Sequence, residues 1–222
     1  TDDNFGTGSR PKEIAEEIIA RKMPEDVSWF VQARCDDISR NKDALPRLRE
    51  SGLNWVLLGV ENSEPSTLRE FKKGITPEDA RTAVDLLKEN NIFAHAMLII
   101  GQRKDTHESI ARLREFANEL DPDLVMFGIL TPFPGTEIYQ EAEKNGWIAD
   151  RNFLHYDMIH AIMSTETLSP KEVQEELYAC YRDFYGSWTR RFNGLFSRNA
   201  LRRRVFWHMA QSGVLEKIRH LF

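Results

Sequence analysis

Cysteine is scarce in this sequence, and long apolar runs are absent from it. Only Cys35 and Cys180 occur among the 222 residues, so neither a disulfide framework nor a CxxC metal motif can be built, which fits a reducing compartment. No apolar run approaches the roughly 18 residues of a membrane span, and nothing at the amino terminus is typical of a signal peptide. We therefore expect a cytoplasmic protein.

The charges are distributed unevenly along the chain. The net charge is −5, but from Ser187 onward eight basic residues oppose the single acid Glu216, which gives that tail +7 and the remainder −12. Such a tail would suit phosphates or a weak contact with an anionic membrane surface, although a solvated or partner-docked helix face is the commoner explanation. The acidic body disfavours nucleic acid as a partner.

Four apolar runs alternate with helical patterns. The runs span 28–34, 54–60, 93–100 and 124–130 and are nearly continuous, which is typical of parallel strands that are covered on both faces. Helix start signals stand between them, at Thr76-Pro77-Glu78-Asp79 and at a capping box formed by Asp105 and Glu108. Alternation with a repeat of about 30 residues predicts an α/β fold with a parallel sheet or barrel.

The sequence divides into three predicted segments. Residues 1–146 carry the α/β pattern, and a helix at 11–22 with no strand before it indicates that the chain begins inside a domain. Residues 147–186 form an irregular stretch and then a helix opened by Ser169-Pro170-Lys171-Glu172. Residues 187–222 have the pattern of two or three short basic helices.

Ligands of parallel α/β folds bind beyond the carboxyl ends of the strands. The polar and small residues at these positions are Asp2, Asp3, Asn4, Arg34, Asp36, Glu61, Asn62, Gly101, Arg103, Thr131, Pro132 and Phe133. This set suits a ligand that carries hydroxyl groups and both signs of charge. Neither a Ser-His-Asp constellation nor a phosphate loop is visible.

Single residues at these ends allow more than one interpretation. Glu61 follows a core strand directly, and a buried carboxylate needs donors, so either a ligand or Arg34 should contact it. Asp36 and Glu64 are typical of helix caps or solvated turns. His95 lies inside a strand, where a satisfied core histidine is commoner than a functional one.

Apolar side chains between residues 147 and 163 also allow two interpretations. Trp147, Phe153, Tyr156, Met158 and Met163 would line a flat apolar pocket or form a small satellite core.

Several motifs occur in an order that resembles a known family. They are an Asp-Asp-x-Phe start, "QARCD", "LLGVENSEPSTLREFKKGIT", "AMLIIG" followed by "DT", and "TPFPGTEIYQEAEKNGW". Over residues 1–147 this succession resembles radical S-adenosylmethionine (SAM) enzymes that carry an N-terminal cobalamin-binding domain. The stretch from "YDMIHAIM" to "GLFSRNALRRRVFWHM" is most similar to the anaerobic oxidative cyclases of magnesium-protoporphyrin IX monomethyl ester.

The resemblance implies a fold and an activity. The fold would be the C-terminal part of a partial parallel (β/α) barrel of the radical SAM type, followed by a helical C-terminal extension. The enzyme would use SAM, a 4Fe–4S cluster and cobalamin to close the fifth ring of a tetrapyrrole, with electrons from a ferredoxin or flavodoxin. The alternatives are a cobalamin-dependent radical SAM methyltransferase or lipid-modifying relative, and a non-catalytic α/β binding module with a basic partner-docking tail.

The resemblance also implies which residues bind SAM: Asp2, Asp3, Asn4, Arg34, Glu61, Asn62, Ile100, Gly101 and Thr131. Residues 2–4 would meet the methionine amino group and Arg34 the carboxylate, while Glu61 with Asn62 would face the ribose hydroxyls. The turn at 100–101 would lie beside the adenine, and Thr131 would shape the last loop of the mouth.

The chain departs from the family pattern in two places. The family's CxxxCxxC cluster motif should precede Asp2, and two cysteines cannot replace its three thiolates. We therefore expect the ligands of the cluster and of cobalamin outside this chain, and the chain to be an inactive portion of a longer enzyme. The turn at 101–106 is Gly-Gln-Arg-Lys-Asp-Thr instead of the family's Gly-x-Pro-x-Glu-Thr, so this turn departs from the pattern on which its implied contacts rest.

Overall fold

A parallel four-stranded sheet forms the centre of the protein. The computed structural model describes residue 5 and residues 8–23, 27–71, 74–197 and 199–213. Its strands are β1 (Trp29–Arg34), β2 (Leu53–Glu61), β3 (Phe93–Ile100) and β4 (Leu124–Ile129). They lie in the order β1-β2-β3-β4, and each neighbouring pair is parallel. Parallel strands that follow one another in sequence and in space are the arrangement of a (β/α) barrel, which confirms the predicted fold class.

In the described residues one helix precedes the first strand, and the others lie between and after the strands. Their bounds are α1 (Arg10–Ala20), α2 (Cys35–Arg40), α3 (Leu45–Glu50), α4 (Pro65–Glu70), α5 (Pro77–Glu89), α6 (His107–Leu120), α7 (Glu137–Asn145), α8 (Pro170–Gly186), α9 (Trp188–Leu195) and α10 (Ala200–Gln211), with short 3₁₀ turns at Lys42–Ala44 and Phe153–His155. Apolar residues of α8 belong to the same hydrophobic core as the sheet.

Two predicted helix starts are confirmed, and the predicted capping box is wrong. The hydroxyl of Thr76 caps α5 together with Asp79, and α8 begins at the predicted start, where Ser169 and Glu172 form a capping box. Helix α6, however, is capped by Thr106 and Ser109. Asp105 lies one residue too early, because its carboxylate accepts hydrogen bonds from the Gln102 amide (3.0 Å) and the Ser109 hydroxyl (2.9 Å) and so closes the preceding turn.

The two faces of the sheet are covered to different degrees. Helices bury the outer face, where Val56, Leu58 and Leu98 have at most 1% of their surface exposed. The alternate side chains form the inner face, on which Phe30 is 70% and Met126 is 37% exposed. The prediction that both faces are covered is therefore wrong for the described residues, because their helices pack against one face of the sheet.

Two tyrosines of α8 occupy the free edge of β4. The Tyr185 hydroxyl accepts from Val125 N (3.0 Å) and donates to Val125 O (2.6 Å). The Tyr181 hydroxyl does the same for Phe127, at 3.2 Å and 2.8 Å. Further along, Ile129 N donates to Met158 O at 2.7 Å. The backbone groups that Val125, Phe127 and Ile129 present at this edge thus bind side chains or a loop where another strand would otherwise pair.

Buried arginines connect the basic tail to the body. Arg202 of α10 forms an ion pair with Asp123 at 3.0 Å, and the two side chains are 13% and 4% exposed. Arg190 of α9 forms an ion pair with Asp121, and its guanidinium lies over the Phe184 ring. These two tail arginines therefore bind the body of the same chain, and docking of the tail on a partner stays a prediction. In the described part of the chain, no helix is both long enough and apolar enough to cross a membrane.

The segment after α7 forms a small second core. Met163 packs there with Ala142 and Ile148, and Trp147 lies against this cluster. Phe153, in contrast, is 65% exposed. The satellite-core interpretation is therefore confirmed for Met163, with Trp147 at the margin of that core, whereas the exposed Phe153 does not belong to it.

Candidate functional site

The parallel strands bring several predicted residues to one edge of the sheet. Arg34, Glu61 and Ile100 are the last residues of β1, β2 and β3, and Thr131 lies two residues beyond β4. The predicted segment Asp2-Asp3-Asn4 lies outside the described residues. The structure therefore places these four predicted residues at the common mouth that parallel strands create, although the Ile100 side chain belongs to the hydrophobic core.

Glu61 ends β2 in an unusual backbone conformation. Its φ angle is 65°, in the left-handed region that non-glycine residues seldom adopt, and the register between β2 and β3 shifts at this point. Asn62 N donates to Val60 O at 2.8 Å, so the chain turns sharply around residue 61. The residue is only 6% exposed. Backbone strain and a buried carboxyl group at one residue are typical of functional sites.

Asn62 fixes this turn through its side chain. Its Oδ1 accepts from Glu64 N at 2.9 Å, and its Nδ2 lies 3.4 Å from Ile99 O. Glu64 is the residue that precedes α4, as its interpretation as a cap residue predicts, and it pairs with Arg112 on the surface. Contact of Asn62 with a ribose stays a prediction, since both ends of its amide already bind backbone groups.

Arg34 is held in place by Asp36. The Asp36 carboxylate accepts from Arg34 Nε at 2.9 Å and from Nη2 at 3.2 Å, and it also pairs with Arg40. Burial alone would raise the pKa of Asp36, but the two guanidinium groups lower it overall. The hydrogen bond to Asp36 in turn raises the pKa of Arg34. Asp36 is thus an ionised positioning group in the first turn of α2.

Arg34 and Glu61 line one cavity on the inner face of the sheet. Its volume is about 130 Å³. The lining residues are Gln32, Ala33, Arg34, Leu57, Gly59, Glu61, Ile75 and Met97. One acid, one guanidinium and an apolar wall therefore meet where β1, β2 and β3 lie side by side.

Gly101 makes the turn after β3. Its φ angle is 79°, and an added Cβ would lie 3.1 Å from Val173 and 3.2 Å from Ile129, so only glycine fits there without displacement. Ile100, directly before it, is fully buried, and its carbonyl accepts from Leu130 N at 2.8 Å. The Thr131 hydroxyl donates to Ile129 O at 3.1 Å. The predicted roles of these residues toward a cofactor stay predictions.

His95 lies on the inner face beside Trp55, with the ring centroids 5.6 Å apart. Burial lowers the pKa of its imidazole to about 4, so the ring is neutral near pH 7. It is not among the residues that line the cavity of Glu61.

Neither cysteine has the properties of a cluster ligand. Cys35 and Cys180 are fully buried, and burial raises the pKa of both thiols to about 12. Cys35 Sγ contacts Gly59 O at 3.6 Å, as expected of a small buried side chain. Within the ranges that the structure describes, no three His, Cys, Asp or Glu side chains are grouped to hold a metal ion.

Six lining residues were not predicted as site residues from the sequence: Gln32, Ala33, Leu57, Gly59, Ile75 and Met97. Gln32 and Met97 have a periodic signal, since they share a face of the sheet with the strand-end residues Arg34 and Glu61. Ile75 precedes α5, and only the tertiary structure brings it to this cavity.

Comparison with known proteins identifies the family. A model of the radical SAM superfamily matches residues 4–117. The anaerobic magnesium-protoporphyrin IX monomethyl ester cyclase of Cereibacter sphaeroides is 32% identical over 173 residues, which are 78% of this chain and 28% of that protein. An uncharacterized methyltransferase of Pyrococcus horikoshii is 29% identical over 83% of this chain and 39% of its own length.

A solved structure shows the same fold. The radical SAM methyltransferase TsrM from Kitasatospora setae, with cobalamin and a 4Fe–4S cluster bound, superposes with a TM-score of 0.59 at 21% identity, over 79% of this chain and 34% of that one. The chain thus spans less than half the length of these relatives. Since the family model covers more than half of the chain and the parallel strands form the corresponding barrel, this chain belongs to the radical SAM superfamily.

Proposed function

We propose that this chain forms the SAM-binding barrel of an enzyme that closes a ring on a tetrapyrrole, as the anaerobic cyclases do. The observation that carries SAM binding is the buried, left-handed Glu61 in a cavity that it shares with Arg34. The similarity to the cyclase of C. sphaeroides supports the tetrapyrrole substrate.

The donor set of the inner-face cavity fits SAM. A carboxylate at Glu61 accepts hydrogen bonds from hydroxyls such as those of a ribose, and the guanidinium of Arg34 pairs with a carboxylate. Leu57 and Met97 give the cavity an apolar wall. SAM supplies a 5′-deoxyadenosyl radical when it is cleaved reductively. In this proposal the residues of the chain bind and orient SAM, while Asp36 keeps the guanidinium in position.

The described residues do not fit a 4Fe–4S cluster. The thiolate is the form of cysteine that ligates iron, and at a pKa of about 12 both Cys35 and Cys180 stay protonated near pH 7. We therefore assign no step of the reaction to a cluster held by these residues.

Binding of SAM to variants tests the proposed role of Glu61. Glu61→Gln removes the charge at nearly constant shape, and we expect about tenfold to a hundredfold weaker binding in equilibrium dialysis. Glu64→Gln is the matched control, since this neighbouring acid pairs with Arg112 outside the cavity. If Glu61→Gln binds SAM as tightly as the unmodified protein, the assignment is wrong.

The identity of the product tests the reaction. The protein, with all residues that its gene encodes, would be incubated without oxygen with SAM, magnesium-protoporphyrin IX monomethyl ester and reduced ferredoxin or flavodoxin. A cyclised product contains one more oxygen and four fewer hydrogens than the substrate. A product with one added methyl carbon would instead favour a methyltransferase, the second candidate, which the relative in P. horikoshii supports.

The location and the tail remain part of this proposal. A cytoplasmic enzyme would meet its reductant protein in solution, and the basic tail would allow weak contact with an anionic membrane surface.

A further inference from the structure

A second and larger cavity lies beside the turn that follows β3. Its volume is about 720 Å³, within the range of sites for small organic ligands. It shares no lining residue with the cavity of Glu61, so the two cavities are separate. Its buried or half-buried lining residues are Phe71, Gln102, Arg103, Leu130, Ile138 and Trp147.

Arg103 is fixed in this cavity without a counter-ion. Its Nη1 donates to Ser164 O at 2.6 Å, and the guanidinium carbon lies 4.1 Å from the centre of the Trp147 ring. Its Nε is buried and has no hydrogen-bond partner, and no carboxylate of the described residues pairs with it. The neighbouring Lys104, by contrast, is exposed and pairs with Glu70 at 2.5 Å. Arg103 is therefore a positioned cation whose charge is still available to a ligand.

Gln102 adds a second group that lacks a partner. The residue is only 6% exposed, and its Nε2 has no hydrogen-bond partner in the structure. A buried amide without a partner is unfavourable, so an acceptor on a ligand that reaches this side chain would relieve the cost. Gln102 and Arg103 thus both favour a ligand that offers oxygen acceptors.

The rim of the cavity has the opposite charge. Its carboxylates belong to Glu70, Glu137, Glu141 and Glu166, and all four residues are exposed. Among the described residues, Glu70 has an ion-pair partner in Lys104, whereas Glu137, Glu141 and Glu166 have none. A ligand carboxylate beside Arg103 is attracted by the guanidinium and strengthens binding. A second ligand carboxylate at the rim is repelled by the glutamates and weakens binding.

We propose that this cavity selects a substrate with one free carboxylate, which Arg103 binds with help from Gln102. The inference rests on the proposed tetrapyrrole function and specifies the substrate class further. Magnesium-protoporphyrin IX monomethyl ester has one free propionate, whereas the unesterified porphyrin has two and the dimethyl ester has none. Phe71 and Ile138 give the cavity an apolar lining against which a flat macrocycle would pack, while the Trp147 ring holds the Arg103 guanidinium in place.

The test measures how tightly each of these three magnesium porphyrins binds to the protein with all its encoded residues. Binding is followed through the shift of the main porphyrin absorption band. We expect the monomethyl ester to bind about tenfold or more tightly than either the dimethyl ester or the diacid. Arg103→Gln should weaken the monomethyl ester by about tenfold to a hundredfold and leave the dimethyl ester nearly unchanged. Lys104→Gln, the matched control, should preserve the preference, because that lysine already pairs with Glu70.

A variant of the rim tests the second half of the proposal. The double substitution Glu137→Gln and Glu141→Gln should strengthen binding of the diacid severalfold without changing that of the dimethyl ester. If the unmodified protein binds all three porphyrins equally, the selection by Arg103 is wrong although a tetrapyrrole function remains. If it binds none of them, both this inference and the proposed function are wrong.

Discussion

The hydroxyl of Tyr185 should be worth more to stability than an ordinary tyrosine hydroxyl. Tyr185 is 7% exposed, and its oxygen serves both the amide and the carbonyl of Val125, a residue only 2% exposed. Tyr185→Phe keeps the ring but leaves two buried backbone groups without partners. Each such group costs about 1–3 kcal/mol, so we expect the free energy of unfolding to fall by about 2–4 kcal/mol. Tyr181→Phe should cost less, about 1–2 kcal/mol, because that tyrosine is only half-buried.

Urea unfolding followed by circular dichroism would measure these differences. Tyr156→Phe is the control, since no hydrogen bond of its hydroxyl occurs among the described residues, and it should change the free energy of unfolding by less than about 0.5 kcal/mol. Amide exchange at Val125 should accelerate in the Tyr185 variant. A loss for Tyr185→Phe no larger than that of the control would refute the view that tyrosines replace a strand at the β4 edge.

Two further substitutions test charges inside the fold. Arg202→Met should lower the free energy of unfolding in urea by about 3 kcal/mol at pH 7, because it leaves the buried Asp123 carboxylate without its cation. Burial raises the pKa of Asp123, so this loss should shrink on acidification. An equal loss at pH 5 would contradict the argument. Burial lowers the pKa of the folded His95 imidazole to about 4, so between about pH 6.5 and pH 4 the unfolded chain binds a proton that the folded protein does not. The unmodified protein therefore loses stability as the pH falls through this range. His95→Gln should reduce that loss, because glutamine does not titrate. The difference should reach about 2–3 kcal/mol, and parallel pH profiles of the two proteins would argue against a neutral buried His95.

The positions of the strands could be predicted from the sequence because composition alone marks them. Each observed strand lies within one or two residues of its apolar run, and Thr76 and Ser169 were recognisable as helix caps. At the start of α6 the sequence allows two capping boxes, one residue apart: Asp105 with Glu108, or Thr106 with Ser109. The local sequence does not decide between them. Tertiary contacts decide, since Thr165 and Thr167 donate to the carbonyl of residue 105 and fix the turn.

Only the residues at the carboxyl ends of the strands could be predicted as site residues. Arg34 and Glu61 were predicted in this way, because the last residues of parallel strands lie at one mouth. The left-handed turn at Glu61 could not be predicted in this way, nor could the shift in register that sets Met97 opposite Gly59 and Leu98 opposite Glu61. Arg103 was visible as a departure from the family's turn, but its stacking on Trp147 depends on a contact across more than forty residues of sequence.

The two edges of the sheet differ in a way that bears on the site. The free edge of β4 is occupied by Tyr181, Tyr185 and the carbonyl of Met158, so no further strand can pair there without displacing them. Among the described residues, the outer edge of β1 receives a single loop hydrogen bond, from Phe5 N to Gln32 O at 3.2 Å. Any additional barrel strand must therefore join β1. It would then lie beside Arg34, and its last residues would reach the mouth with β1 between them and Glu61.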